Sequence, residues 1–373
     1  MKILYIANLR LPTEKAYGIQ IAKMGEAFAD LGLEVVLAAP FRISKEKGSI
    51  SHYYGVRENF KFRKIFTPDF YFPGRLDIIA FQIKSFISAF ILAVYALTHK
   101  SDIVFSRDEM PLYLLSFFRG NLVFEAHKFS KKRLSFYKRF KKKKVKIVAI
   151  SSGIKNEFEK IGFNPESILI APDAVDLRDF DINISKTEAR KKLGLPLDKK
   201  IALYSGHFFK WKGVDTLMEA AAYLKEVFFV FIGGTEKRTL DNILFLGHKP
   251  YREVPLYLKA ADVLILPNPA TLSSGVGEKE EKISKYYTSP LKLFEYMASG
   301  RPIVASDLPS IKEVLDKDSA VFFKPGNSEE LARSIKKIID DENLAKSISE
   351  KAFEKVQEYT WEKRVKKILV FVG

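Results

Sequence analysis

The chain has 373 residues, 47% of them apolar and none of them cysteine. That length points to two domains, and the missing thiols exclude a disulfide framework and a thiolate metal site, so a reducing interior is expected. The net charge of +17 is uneven: residues 1–172 hold 29 Lys/Arg against 15 Asp/Glu, and the remainder is close to balance.

The opening run, Ile3 to Ala7, is too short for a signal peptide and Arg10 follows at once, so it reads as a first buried strand. Ala16-Tyr17-Gly18 then opens a helix. Gly18 at this strand-to-helix turn would let a ligand approach the backbone, although a plain turn uses a glycine equally well. Residues 85–98 form the longest uncharged stretch. It falls short of the ~20 residues a spanning helix needs, so a buried or interfacial helix is expected, in a protein that at most lies on a membrane surface.

Glu125-Ala126-His127 ends the fourth apolar run. A histidine at a strand's carboxyl end can bond a substrate hydroxyl or donate to an oxygen that gains charge; a structural histidine is the alternative. The positive excess follows, at Lys131, Lys132, Arg133, Lys138, Arg139, Lys141, Lys142, Lys143, Lys144 and Lys146. Phe129, Leu134, Phe136, Tyr137 and Phe140 are interleaved with it. This composition suits an anionic bilayer, where each Lys or Arg contributes about 1 kcal/mol. A solvated face ranks second and nucleic acid third, since no nucleic-acid module accompanies the patch.

Apolar runs recur at 3–7, 35–39, 103–105, 122–124, 147–150 and 168–170, then at 201–204, 228–232, 243–246, 263–266, 303–305 and 321–323. Helical stretches alternate with them, which implies parallel sheets covered on both faces. The predicted class is α/β, with two doubly wound, Rossmann-like domains facing a cleft; twelve strands fit an eight-fold barrel poorly. The domains would span 1–172 and 200–356, joined by a linker at 173–199. Asp179 and Asp181 in that linker follow no strand end and are not read as metal ligands.

In the second domain, Tyr204-Ser205-Gly206-His207 is a strand and glycine turn, and Lys210, Lys212 and Gly213 precede a helix starting near Val214. Lys212 can neutralise a diphosphate and His207 can assist; ordinary surface charges are the alternative. Gly233, Gly234, Pro267 and Asn268 lie on the same sheet edge, and 271–286 reads as a mobile loop over the site. Ser289 can cap a helix that Pro290 opens, with Leu291, Phe294 and Ala298 at helical spacing and Gly300 as its stop. The amides of Leu291 and Lys292 would attract phosphate, Lys292 adds a charge, and Glu295 can accept from sugar hydroxyls. A nucleotide or nucleotide-sugar would satisfy all three; a capped surface helix is the competing reading.

In this order the pieces resemble retaining glycosyltransferases of family 4 (glycosyl transferases group 1), of GT-B fold. Residues 204–213 are similar to the family's diphosphate motif, with His207 where arginine is usual. Residues 289–307 resemble its most diagnostic block, 172–176 its hinge signature, and His127 its N-domain histidine. The resemblance implies transfer of a sugar from a nucleotide-diphosphate donor to a saccharide or lipid-linked acceptor, without metal or other cofactor. His127, Lys212 and Glu295 would be catalytic, and Gly18, Gly206, His207, Ser289, Leu291 and Lys292 would help hold the donor. It also implies that the last helix, about 357–373, returns to the first domain. A cytoplasmic enzyme, peripheral on the membrane's cytoplasmic face, is expected. The family's two spaced glutamates fall on 287 and 295, and here the first is Tyr287. A sugar-nucleotide epimerase of the same architecture and a non-enzymatic polyanion binder are the rival functions.

Overall fold

The computed structural model describes residues 1–43, 48–74, 76–208, 212–270 and 289–373. They form two compact units, Met1–Pro172 with Trp361–Gly373, and Asp173–Thr360.

In the first unit the strands are β1 (Lys2–Ile6), β2 (Glu34–Pro40), β3 (Lys61–Ile65), β4 (Ile103–Ser106), β5 (Leu122–Ala126), β6 (Lys146–Ala149) and β7 (Ile168–Ile170). Its helices are α1 (Ala16–Asp30), α2 (Ile50–Tyr54), α3 (Leu76–Thr98), α4 (Glu109–Leu115), α5 (Leu134–Lys142) and α6 (Ser152–Lys160). The strands pair in parallel in the order β3-β2-β1-β4-β5-β6-β7. The strand order therefore reverses beside β1, where Leu4 registers with Val36 on one side and Val104 on the other.

The second unit carries α7 (Lys186–Leu193), β8 (Lys200–Ser205), α8 (Val214–Tyr223), β9 (Val227–Ile232), β10 (Lys237–Leu240), β11 (Ile243–Leu246), α9 (Val254–Ala260) and β12 (Val263–Leu266). After these come α10 (Leu291–Ala298), β13 (Ile303–Ser306), α11 (Pro309–Lys312), β14 (Val321–Phe323), α12 (Ser328–Asp340) and α13 (Glu342–Val356). The order is β10-β11-β9-β8-β12-β13-β14, with β10 antiparallel to β11. Leu203 and Leu264 pack into the core on one face of this sheet, and Tyr204 and Ile265 into the core on the other. Burial on both faces is why these strands are continuous apolar runs rather than alternating ones.

Two strands lie outside the apolar runs. β3 and β10 are sheet edges, mostly exposed and rich in Lys and Arg, as edges that must not recruit another chain tend to be. The predicted linker 173–199 needs correction, because it is built into the second unit. Ala189 of α7 sits in the core, and the Arg190 guanidinium donates to the carbonyls of Ala260 and Lys199 at 2.9 Å.

The last helix, α14 (Trp361–Val372), belongs to the first unit and packs along α1. Its Arg364 donates to the carbonyl of Pro172 at 2.7 Å and to the Glu125 carboxylate at 2.5 Å. The uncharged stretch 85–98 is the second half of a 23-residue helix, α3, long and apolar enough to cross a membrane by length and composition. Only about a third of its most apolar stretch is buried.

Candidate functional site

In the second unit the strand order reverses between β8 and β12, and open α/β sheets place ligands beyond the carboxyl ends of strands at such a point. β8 leads there into Gly206, whose φ of +139° suits glycine alone; its amide donates to the Ile232 carbonyl at 2.8 Å. The turn before α8 is pressed against β12 just as closely. A Cβ on Gly213, at φ +74°, would lie 1.6 Å from the Pro267 carbonyl oxygen.

The head of α10 is tied to the same place. The Tyr296 hydroxyl accepts from the Ser205 amide at 2.8 Å, which seats the helix against the end of β8. Ser289 does not cap this helix. Its hydroxyl accepts from the Asp173 amide at 2.9 Å, and Pro290 stands at the cap position with no side-chain cap. The amides of Leu291 and Lys292 therefore precede the first bonded turn, closed by Leu293 N–H on the Pro290 carbonyl at 2.9 Å.

Lys292 is buried, and among the described residues its Nζ has no hydrogen-bond partner. The ammonium lies over the Tyr204 ring at 3.9 Å, and a Cβ on Gly206 would be 3.5 Å from it. Burial, then the charge of Lys212, hold its pKa well below the usual lysine range, with Glu295 opposing. Burial also brings Lys212 down to about 8. Glu295, one turn along from Lys292, is pushed up to about 7 by burial, with Asp179 adding and Lys292 opposing. The Tyr251 hydroxyl bonds Asp179, and its pKa is raised by burial and by the carboxylates of Glu295, Asp179 and Asp176. Asn268, past the end of β12, is buried with its Oδ1 unbonded among the described residues.

Gly206, Lys212, Leu291, Lys292 and Glu295 thus gather at one sheet end. Two lysines whose charge is poorly solvated, beside helix amides, constitute a site that an anion would complete. Sequence reasoning gave no role to Tyr204, Tyr251 or Tyr296, which nothing local in the chain marks, and set Asp179 aside as linker. His207 follows Gly206 directly, and its carbonyl accepts from the Tyr204 hydroxyl at 3.1 Å. Lys210, Tyr287 and the loop at 271–286 lie outside the described residues.

The first unit has its own polar cluster at the end of β5. Glu125 is fully buried, accepts from Gln20 Nε2 at 2.9 and 3.0 Å, and lies 3.4 Å from His127 Nε2. Burial pushes this carboxyl up, but Arg364, His127 and Arg107 outweigh it and hold it well below the usual range. His127 Nε2 is buried beside that carboxylate and, among the described residues, has no hydrogen-bond partner. The signal for Glu125 in the sequence was a charge at the end of an otherwise apolar strand.

Two expectations change in this unit. Gly18 lies inside α1 and has a packing reason: a Cβ there would meet the Tyr54 hydroxyl at 2.0 Å. The basic stretch also has no aromatic face to offer a bilayer. Phe129, Tyr137 and Phe140 are buried, and Phe136 stacks on Tyr113 at 4.2 Å. Lys131, Lys132, Lys138 and Lys141 to Lys144 are left as a solvated cationic surface, with Arg133 and Arg139 half-buried beside the rings of Phe136 and Phe117. An ordinary amphipathic helix, apolar side inward, accounts for the interleaving.

Residues 185–355 match the family model for glycosyl transferases group 1. A Bacillus subtilis protein named for a glycosyltransferase role in teichuronic acid biosynthesis (TuaC) is 29% identical over 216 residues, 57% of this chain and 51% of that protein. The D-inositol 3-phosphate glycosyltransferase of Corynebacterium aurimucosum is 24% identical over 239 residues, 58% of this chain and 53% of that protein. The chain thus spans about half the length of these curated relatives. Among solved structures, Anabaena Alr3699/HepE in complex with UDP and glucose superposes with a TM-score of 0.74 at 16% identity, covering 99% of both chains.

Proposed function

The segment 185–355 belongs to the glycosyl transferases group 1 family, on the GT-B fold, and from that premise we propose that the chain moves a sugar from a nucleotide-diphosphate donor to an acceptor hydroxyl, retaining the anomeric configuration. The observation that carries this reading is the buried Nζ of Lys292, without a hydrogen-bond partner among the described residues and close to Lys212 at the head of α10. A diphosphate there would accept from both lysines and from the amides of Leu291 and Lys292, restoring charge to groups that burial discourages.

Negative charge on the diphosphate grows as the bond to the sugar breaks. Donors fixed beforehand at that position bind the transition state more strongly than the ground state, and this difference raises the rate. Glu295, one turn along the same helix, would accept from ribose hydroxyls. His207, after Gly206, would reach the phosphate. His127, its Nε2 3.4 Å from Glu125, would serve the sugar or the acceptor, which we assign to the first unit. We propose a saccharide or lipid-linked acceptor, and charge neutralisation by the two lysines in place of a metal or other cofactor. A cytoplasmic enzyme working at the membrane face fits such an acceptor.

Incubation with UDP- and GDP-sugars and candidate acceptors, with and without magnesium, tests the reading. Nucleoside diphosphate should be released in step with acceptor, and the product anomer should match the donor by NMR. Lys212→Ala should lower turnover of bound donor by about two orders of magnitude. Donor conversion that needs no acceptor would favour the epimerase, and full turnover by Lys212→Ala would refute the assignment.

A further inference from the structure

Helix α3 is built inside out. Two of its polar side chains, Lys84 and Ser88, point into the first unit, while Gln82 is exposed beside the outer face: Lys84 donates to the Phe70 carbonyl at 3.0 Å and lies 3.4 Å from Asp69. Ser88 accepts from Arg42 at 2.9 Å and donates to Asn8 Oδ1 at 2.7 Å. Outward, Ile79, Ile83, Phe86, Phe90, Val94 and Leu97 form one unbroken apolar stripe, each between 44% and 54% exposed. The spacing of four, three, four, four and three keeps these six on a single face over five turns, about 27 Å of helix. A soluble protein presents the reverse pattern on a surface helix.

We propose that this stripe is the surface by which the protein lies on an anionic lipid bilayer, α3 sinking its outer face into the interface while its inner face stays bonded to the unit. Three features favour a bilayer over another protein surface. The stripe is unrelieved by charge, since the helix holds only Asp77 and the inward-facing Lys84. It continues at its C-terminal end into exposed Phe117 and Phe118, where Arg119 donates to the Ala96 carbonyl at 2.9 Å. Phe117 in turn lies under Arg139 of α5 at 3.3 Å, so the apolar stripe and the solvated lysines of α5 adjoin. A second copy docking here would bring two cationic surfaces together, whereas acidic headgroups would neutralise them. The bonds from Lys84, Ser88 and Asn8 hold the helix against the unit, so it rests in the interface and does not cross.

The inference stands apart from the transferase reading, because it needs no donor. Full-length protein is sedimented with phosphatidylglycerol-containing vesicles and with pure phosphatidylcholine vesicles at low salt. Preferential pelleting with the anionic vesicles is expected, and Phe86→Ser/Phe90→Ser should weaken it more than about tenfold by removing two rings from the buried face. The double variant should keep or raise its Tm, since both rings are half exposed in water. Replacing Lys141 to Lys144 by Gln should abolish the preference for anionic lipid. Phe90→Trp should show a blue-shifted emission on vesicles, a readout that depends on insertion and not on fold. Equal pelleting of the Phe86/Phe90 variant, no blue shift, or a dimer that the same two substitutions dissolve would overturn the proposal.

Discussion

The guanidinium of Arg364 and the carboxylate of Glu125 meet at 2.5 Å across 239 positions of sequence, both nearly without solvent. Arg364 also bonds the Pro172 and Ala171 carbonyls, so one side chain fastens the last helix to the end of the first unit. Arg364→Met strands a buried carboxylate and should cost about 3–5 kcal/mol in chemical denaturation. Adding Glu125→Gln should recover part of the loss. Because the Glu125 pKa is depressed by folding, its contribution is present above the ordinary carboxylate range and disappears as pH falls through its own lowered value. A double variant no more stable than the single one would argue against the pair.

Glu295 behaves in the opposite sense. Its pKa rises on folding to about 7 from an ordinary 4.5, so between these values the folded chain holds a proton that the unfolded chain has lost. Stability from this group is complete below pH 4.5 and declines as pH rises to 7, by about 3 kcal/mol. Glu295→Gln should flatten that slope in ligand-free protein. Parallel profiles for the two proteins would mean that Glu295 is not buried as described.

Lys212, at about 8, is partly neutral in weakly alkaline solution. A diphosphate arriving beside it restores the charge, so UDP binding should take up a proton above pH 8 and weaken as pH rises further. Calorimetry at alkaline pH in buffers of different ionisation enthalpy reads the uptake directly. Lys212→Met should lessen it, leaving the share taken up by Lys292.

Lys292→Met should separate stability from binding. Without ligand, the substitution removes a buried amine with no hydrogen-bond partner among the described residues and should stabilise by about 1 kcal/mol or more. UDP should then bind about tenfold more weakly or worse, because a charged donor is gone. A loss of both properties would show that the lysine has a structural partner.

The two sheets were legible because strands buried on both faces leave continuous apolar runs, whatever packs against them. β3 and β10 were not, because an exposed edge carries Lys and Arg like any loop. Lys292 and Glu295 could be found from sequence, since one turn of helix sets their spacing. Tyr251 and Arg364 could not, because their partners lie in distant segments. Ser289 had the residue type of a cap but found the Asp173 amide instead, a choice only tertiary structure makes. The aromatic side chains of the basic stretch were ambiguous for a related reason: hydrophobic and cationic side chains alternate identically whether the rings face a core or a lipid. For α3 the composition was plain, but which side faced outward depended on Arg42 and Asn8.

Gly213 leaves no gap for even a methyl group against the backbone of Pro267. The backbone of the turn that carries Lys212 is consequently set by main chain touching main chain. Side chains around the turn can change to accommodate a different base or sugar while that backbone keeps its place, so the proposed phosphate anchor would start from the same point in each case.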